Sequence, residues 1–343
     1  MAVVAGTNQT RSLPAFFEQA FSVPVRPIMS PGFSLKGHRS ISMFGTFTNL
    51  LKNLPAYKRS LGTIRKAMEE TQPDLIVNFL EPLMGVYNLL HAHKVPVLVV
   101  GHQYMLEHPD FVKEKVFRTQ QMGMKFYIAV TGARSAKMAL SFYHAPDMPH
   151  RRFFVSPPIL RKQLFELQPD FSGGHLLIYL LNHGYAEEII KWHKENSTIP
   201  IHCFYDKPDA PAEDRIDATL TFHKIHGEKF LRMMATARGV ACTAGFESVS
   251  EGAYLGKPLL LIPVENHLEQ HLNACDAERT GLGMHDSKFH LSRLLEKPKG
   301  EATATFREWV NQAEVIAMRA VEATAGAQAL AGGTVAPAWT GAR

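Results

Sequence analysis

The sequence predicts an α/β protein built as two parallel-sheet domains, and three observations carry that expectation. Short apolar runs alternate with helix-periodic segments through both halves of the 343 residues. The runs are near-continuous rather than alternating, as in strands covered on both faces of a parallel sheet. The alternation breaks once, at Pro157-Pro158 and a mixed segment ending in Gly173-Gly174, and then starts again. A chain of this length can bury two cores of ordinary size.

In order, the first apolar runs are Ala2 to Ala5, Leu75 to Phe79, Val95 to Gly101, Met138 to Tyr143 and Phe153 to Ser156. Helices are expected at Ser60 to Glu70 and at Pro109 to Gly123, the second turning Phe111, Val116 and Met122 inward. These make a domain over 1–158, followed by a linker over 159–174. The second domain, 175–304, has strands at His175 to Leu181, Ile199 to Tyr205 and Ala218 to Phe222. Its first helices are Glu187 to Glu195 and Glu228 to Ala237, the latter with Phe230, Met233, Met234 and Ala237 inward. Next come strand Val240 to Cys242, the small-residue turn Thr243-Ala244-Gly245, and a helical segment stopped by Gly256-Lys257-Pro258. Strand Leu259 to Ile262 ends at Pro263 and leads to another helix carrying Glu269, Gln270 and Asn273. Phe306, Val310, Ala313, Ile316, Ala317 and Ala320 recur at helical spacing, predicting one closing helix over 305–324. The Ala/Gly/Thr-rich remainder, 325–343, reads as a disordered tail.

Composition excludes several classes. A hydrophobic fraction of 45% with 20% charged residues is that of a soluble globular chain, not a disordered or fibrous one. The net charge of +5 comes from well-mixed signs, and no Lys/Arg run with interleaved aromatics points to nucleic acid. Cys203, Cys242 and Cys275 are odd in number and fit no metal spacing or disulfide framework, so reduced core cysteines are expected. No apolar run approaches the roughly 20 residues a membrane span needs. The segment Leu75 to Leu90 is interrupted by Asn78, Glu81, Pro82 and Asn88, and no signal peptide is visible. A cytoplasmic protein is expected. The basic balance and the aromatics from Phe44 to Phe47 leave room for a peripheral seat at the inner face of the membrane.

The polar residues of the second domain gather just after its strands, the edge where open parallel sheets bind ligands. A small-residue turn entering a helix also offers free N–H groups and a positive dipole end to an anion. Gly245, Ser248-x-x-Glu251, Gly256-Lys257-Pro258, an apolar strand, Pro263 and Glu269-Gln270-x-x-Asn273-Ala274 resemble the donor-binding signature of GT-B glycosyltransferases. The peptidoglycan GlcNAc-transferase, the UDP-glucuronosyltransferase-like enzymes and a bacterial and archaeal family share that signature. The resemblance is strong over Gly239 to Gly283 and holds in outline elsewhere. It implies two Rossmann-like domains facing a cleft. It also implies transfer of a hexosyl group from a nucleoside-diphosphate sugar, UDP-linked, to a hydroxyl acceptor, which could be lipid-linked. The nucleotide sugar is a substrate; no cofactor is expected.

The resemblance implies a role for each matching residue. Gly245 and the N–H groups of Phe246, Glu247 and Ser248 would cradle the diphosphate, and Glu251 would accept the ribose hydroxyls. Glu269 and Gln270 would meet the sugar, with Asn273 supporting the loop. His183, in the loop Leu181-Asn182-His183-Gly184, would approach the phosphates, and the segment from Phe222 and His223 to His226 matches by position the loop that holds the base. No Asp-x-Asp pair is present, so inverting, metal-independent transfer is expected. His102, just past the strand Val95 to Gly101, is the acceptor-side candidate for the catalytic base. The opening Met1 to Gly6 resembles the family's second strand, so the N-domain is expected to be incomplete, without the first βα unit. Two alternatives stay open: a sugar-nucleotide epimerase of the same fold, and a non-catalytic nucleotide-sugar-binding relic.

Overall fold

The computed structural model describes the chain apart from residues 8–12, 14–16, 18–20, 33, 37–39, 92–93, 115, 171–172, 181–182, 208, 297–302 and 333–343. Two parallel sheets organise it. In the first, β5 (Ile76–Asn78), β6 (Val97–Gly101), β7 (Ala136–Leu140) and β8 (Phe153–Ser156) lie side by side in chain order. Every residue of β6 is buried. Leu98 and Val100 enter one core cluster and Val97 and Val99 another, so the run has no place for a polar side chain. β1 (Val3–Thr7) and β2 (Val25–Met29) pair in parallel as a separate sheet. The Leu54–Thr71 helix joins them to the Pro82–Leu90 helix through Tyr57, Ile64, Leu83 and Met84. A hairpin of β3 (Ser34–Lys36) and β4 (Ser40–Ser42) precedes the Met43–Lys52 helix.

The second sheet contains β9 (Leu176–Leu180), β10 (Ile201–Tyr205), β11 (Glu213–Arg215), β12 (Leu220–Lys224), β13 (Gly239–Cys242), β14 (Leu259–Leu261) and β15 (Met284–His285), in the order β11-β12-β10-β9-β13-β14-β15. All pairings are parallel except β11 with β12. The chain winds outward from β9 to β12, then returns to the other side of β9 as β13. That reversal opens a crevice beyond the C-terminal ends of β9 and β13. The same ends face the first sheet: His102, directly after β6, stacks on Phe246 with ring centroids 4.0 Å apart. Behind the cleft, Trp309 donates its indole N–H to Ser141 O at 3.0 Å, and the Ala313–Gly332 helix crosses β6, β7 and β8.

Several expectations are corrected. The helix expected at Pro109 to Gly123 begins instead at Arg118 and runs to Thr131, because Phe117 adopts a left-handed backbone (φ 55°) that separates it from the preceding loop. Phe111 is buried as expected, but Val116 and Met122 are exposed. The single closing helix is two, Thr303–Val310 and Ala313–Gly332, broken at Asn311 and Gln312. The second continues through 325–332, part of the expected tail; the rest of the tail lies outside the described residues. β11 was not anticipated, and the linker contains a short Lys162–Phe165 helix. Among the described residues no helix is long and apolar enough to cross a membrane.

Candidate active site

The crevice is built around the loop leaving β13. Ala244 sits in the left-handed region (φ 54°), a conformation that costs a residue with a Cβ roughly 1–2 kcal/mol. Asn273, fully buried, holds it there by donating its amide N–H to Ala244 O at 3.0 Å. Gly245 then caps the Phe246–Tyr254 helix with an extended backbone (φ −69°, ψ 134°) and no side-chain cap. The first-turn N–H groups of Phe246, Glu247 and Ser248 therefore point outward with the positive end of the helix dipole. A Cβ built on Gly245 would meet nothing within 4 Å, so the space in front of this turn is open.

Two carboxylates flank that turn. Glu251 is 3% exposed, and its Oε1 accepts the Nε–H of Arg161 at 2.5 Å. Arg161 belongs to the linker and also donates to Gly227 O at 3.4 Å. Burial raises the Glu251 pKa, and the guanidinium opposes it. Glu247 is exposed at the helix start, yet loss of hydration, with the Glu251 charge second, lifts its pKa to about 7 against the pull of Arg161.

The Leu268–Arg279 helix supplies the opposite wall. His267 caps it, and the buried Gln270 accepts the Val264 N–H at 2.9 Å, bracing the 263–267 loop. Glu269 lines a narrow pocket between the sheets together with His102, Gln103 and Asn273. In the Gly256-Lys257-Pro258 motif, the buried Lys257 ammonium donates to Asp170 O, Ala235 O and Ala237 O at 2.8, 2.7 and 3.0 Å. It ties the end of the Gly227–Thr236 helix to the linker and so acts on packing.

His102 is 4% exposed and wedged among Phe111, Phe142 and Phe246. Its Nδ1 is 2.7 Å from Leu140 O, which assigns the proton there. Asn273, beside it, donates to Ala244 O, and His102 Nε2 is buried without a hydrogen bond. Burial lowers the His102 pKa to about 4.

Two expected nucleotide contacts lie elsewhere. Phe222 is buried in the core beside Tyr205, because β12 turns it to the sheet interior. His223, on the other face, is 2% exposed, with Nε2 2.9 Å from His202 Nδ1 and Nδ1 3.1 Å from the Lys229 ammonium. Burial first, then Lys229, lowers its pKa to about 4, and His202 is lowered likewise. Lys224, Ile225 and His226 of that loop are exposed, His226 capping the Gly227–Thr236 helix. His183 stands in a short turn after β9, the strand beside β13, with Nδ1 3.4 Å from Asp206 O; Leu181 and Asn182 lie outside the described residues.

Sequence reasoning missed Arg161, whose only signal is to be the first charged residue after Pro157-Pro158. It named His223 but not the row that His223 forms with His202 on β10 and His175 just before β9. A larger concavity of about 320 Å³ lies at the break between the last two helices, beside His144, Asp147, Trp309 and Arg319, and holds none of the expected residues. Among the described residues no group of three or more His, Cys, Asp or Glu side chains is arranged to hold a metal ion.

Comparison with known proteins agrees with this architecture. The family model for glycosyl transferase family 1 matches residues 16–296. No curated protein matches the chain. Among solved structures, the glycotransferase of kitacinnamycin is 12% identical with a TM-score of 0.65, covering 94% of this chain and 91% of its own. Arabidopsis thaliana UGT89C1 complexed with UDP is 11% identical with a TM-score of 0.63, covering 96% and 92%. Phytolacca americana UGT2 complexed with UDP-2fluoro-glucose and pterostilbene is 13% identical with a TM-score of 0.59, covering 96% and 93%. At these identities the likeness shows the fold, the two-sheet GT-B arrangement.

Proposed function

The chain belongs to glycosyl transferase family 1, and from that premise we propose that it moves a hexosyl group from a UDP-linked sugar to an acceptor hydroxyl, with inversion and without a metal ion. The observation that carries this reading is the Thr243-Ala244-Gly245 loop, held by Asn273 and opening onto an uncapped helix at the point where the strand order reverses. UDP in the Arabidopsis complex and UDP-2fluoro-glucose in the Phytolacca complex support a UDP-linked donor.

The acceptor oxygen attacks the anomeric carbon on the face opposite the diphosphate, which leaves with both electrons of the C–O bond. The first-turn N–H groups of Phe246, Glu247 and Ser248 meet the charge that builds on the leaving oxygen, and they are in place before it develops. Glu251 takes the ribose hydroxyls, Glu269 and Gln270 the sugar hydroxyls, and His183 a phosphate. His102 is the acceptor-side base: with Nδ1–H given to Leu140 O, its lone pair is on Nε2. In this scheme residues 1–158 hold the acceptor, 159–174 link the domains and 175–304 hold the donor. A lipid-linked acceptor and a peripheral seat at the membrane fit the same scheme. The side chains of Phe44 and Phe47, which such a seat would use, lie outside the described residues.

Thermal unfolding with UDP, dTDP, GDP and ADP tests the donor. UDP at a hundred times its Kd adds about 2.7 kcal/mol, and the same rise in Tm with all four, or none with UDP, contradicts the reading.

A further inference from the structure

We infer that the acceptor is itself a carbohydrate, recognised by the turn from Phe79 to Glu81: Phe79 lies against a face of the sugar ring, and Glu81 accepts one of its hydroxyls on Oε2. The inference rests on the reading of the cleft given above, with the acceptor on the first domain.

The starting point is a carboxylate of which one oxygen is used. Glu81 caps the Pro82–Leu90 helix, and its Oε1 accepts the Leu83 N–H at 3.0 Å and the Ser30 hydroxyl at 2.7 Å. A helix cap needs no more than that oxygen. Among the described residues nothing donates to Oε2, and no cation pairs with the carboxylate. Gly6 keeps the space beside Oε2 clear, since a Cβ there would collide with it. Burial raises the Glu81 pKa, against both hydrogen bonds to Oε1.

The turn stands at the edge of the cleft. β5 runs parallel to β6 with Asn78 opposite Val99, so the turn leaves the sheet beside Gly101 and His102. Leu80 lies on Gly101, where a Cβ would come within 2.7 Å of its Cδ1. The buried Asn78 clasps the turn, accepting the Glu81 N–H at 2.8 Å and donating to Glu81 O at 3.2 Å. The Tyr127 hydroxyl donates to Leu80 O at 2.8 Å. Burial raises the Tyr127 pKa, and the charges of Glu81 and Glu269 add to that rise. The turn therefore lies near the wall where Glu269 meets the donor sugar in the proposed reaction.

The open oxygen selects among acceptors. A simple phenol or alcohol gives its one hydroxyl to the reaction and would cover Oε2 without a partner, which is costly for a carboxylate. A sugar has further hydroxyls to donate, and a hydrogen bond to an ionised acceptor is of the stronger kind. Phe79, directly after β5 and 67% exposed, sets an apolar ring beside that oxygen. An aromatic face next to a hydrogen-bond acceptor matches a pyranose, with its C–H face and its rim of hydroxyls.

The test is transfer by the full chain from a panel of UDP-hexoses to methyl hexosides, phenols and simple alcohols, with calorimetry of UDP binding alongside. The wild type should glycosylate a methyl hexoside and not the phenols or alcohols. Glu81→Gln, which keeps an oxygen for the Leu83 N–H, should raise the KM for that hexoside about tenfold. Phe79→Ala, a change at the surface, should raise it about threefold or more, and Phe79→Trp should restore it. The UDP Kd should be the same in all three variants as in the wild type. Transfer to phenols or alcohols as readily as to hexosides, transfer to none of the panel, or an unchanged KM in Glu81→Gln or Phe79→Ala would overturn the inference. If the wild type binds UDP, only the inference has failed. If the wild type binds none of UDP, dTDP, GDP or ADP, the reading of the site itself has failed.

Discussion

At the scale of single residues, the cleft tests whether a side chain serves the ligand or the fold. Gly245 serves the ligand in this account: its backbone angles are ordinary for any residue, and a Cβ would project into open space. Gly245→Val should therefore fold and melt like the wild type, yet lose UDP affinity because the valine occupies the phosphate position. A loss of Tm with normal binding in the folded fraction would reduce Gly245 to a turn residue. Glu251→Ala should weaken UDP binding by about 1–3 kcal/mol, the range for hydrogen bonds to a charged group, with the circular dichroism spectrum unchanged; an unaltered Kd would remove Glu251 from the ribose. Glu247 makes the affinity depend on pH. With a pKa near 7 in the free site, a diphosphate beside it favours the protonated form, so binding takes up a proton. The Kd for a UDP-hexose should fall as pH is lowered through 7, and Glu247→Gln should flatten that dependence.

At the scale of elements, continuous apolar runs were legible because burial on both faces leaves a strand no polar position; β6 and β13 are buried throughout. The signature loop was legible for a related reason: small residues between a strand and a helix have few other uses. What escaped was set by tertiary context. The 109–117 stretch has apolar residues at helical spacing, but Phe111 packs from a loop while Val116 faces water. β11, Glu213-Asp214-Arg215, is an edge strand with no apolar pattern to announce it. Asn311 and Gln312 interrupt the last helices without breaking their apolar period. Trp309, beside that break, is the joint between the closing helices and the first sheet. Trp309→Phe should cost about 1 kcal/mol for the lost hydrogen bond, and Trp309→Ala about 3–5 kcal/mol, both read from urea unfolding. A cost under 1 kcal/mol for the alanine variant would show that the joint carries no weight.

At the scale of the whole molecule, a buried and a half-buried neutral histidine couple stability to pH. His202 and His223 have folded pKa values of about 4, below the ordinary 6.5 of an unfolded histidine. The unfolded chain then takes up protons that the folded chain refuses, so their contribution to stability falls as pH drops from about 6.5 towards 4. Glu247 acts in the opposite sense from about 7 downward. His223→Gln isolates the effect: the pH slope of the unfolding free energy in that window should become shallower by up to about 1.4 kcal/mol per pH unit. An unchanged slope would mean that His223 is already protonated in the fold. In the proposed reaction the second sheet presents a sugar nucleotide to the cleft for transfer. That reaction is tested most directly by UDP release from a panel of UDP-hexoses, comparing the wild type with Gly245→Val at equal folded concentration. The wild type should release UDP from at least one donor and the variant from none; equal release by both, or none by the wild type from any donor, would overturn the proposed function.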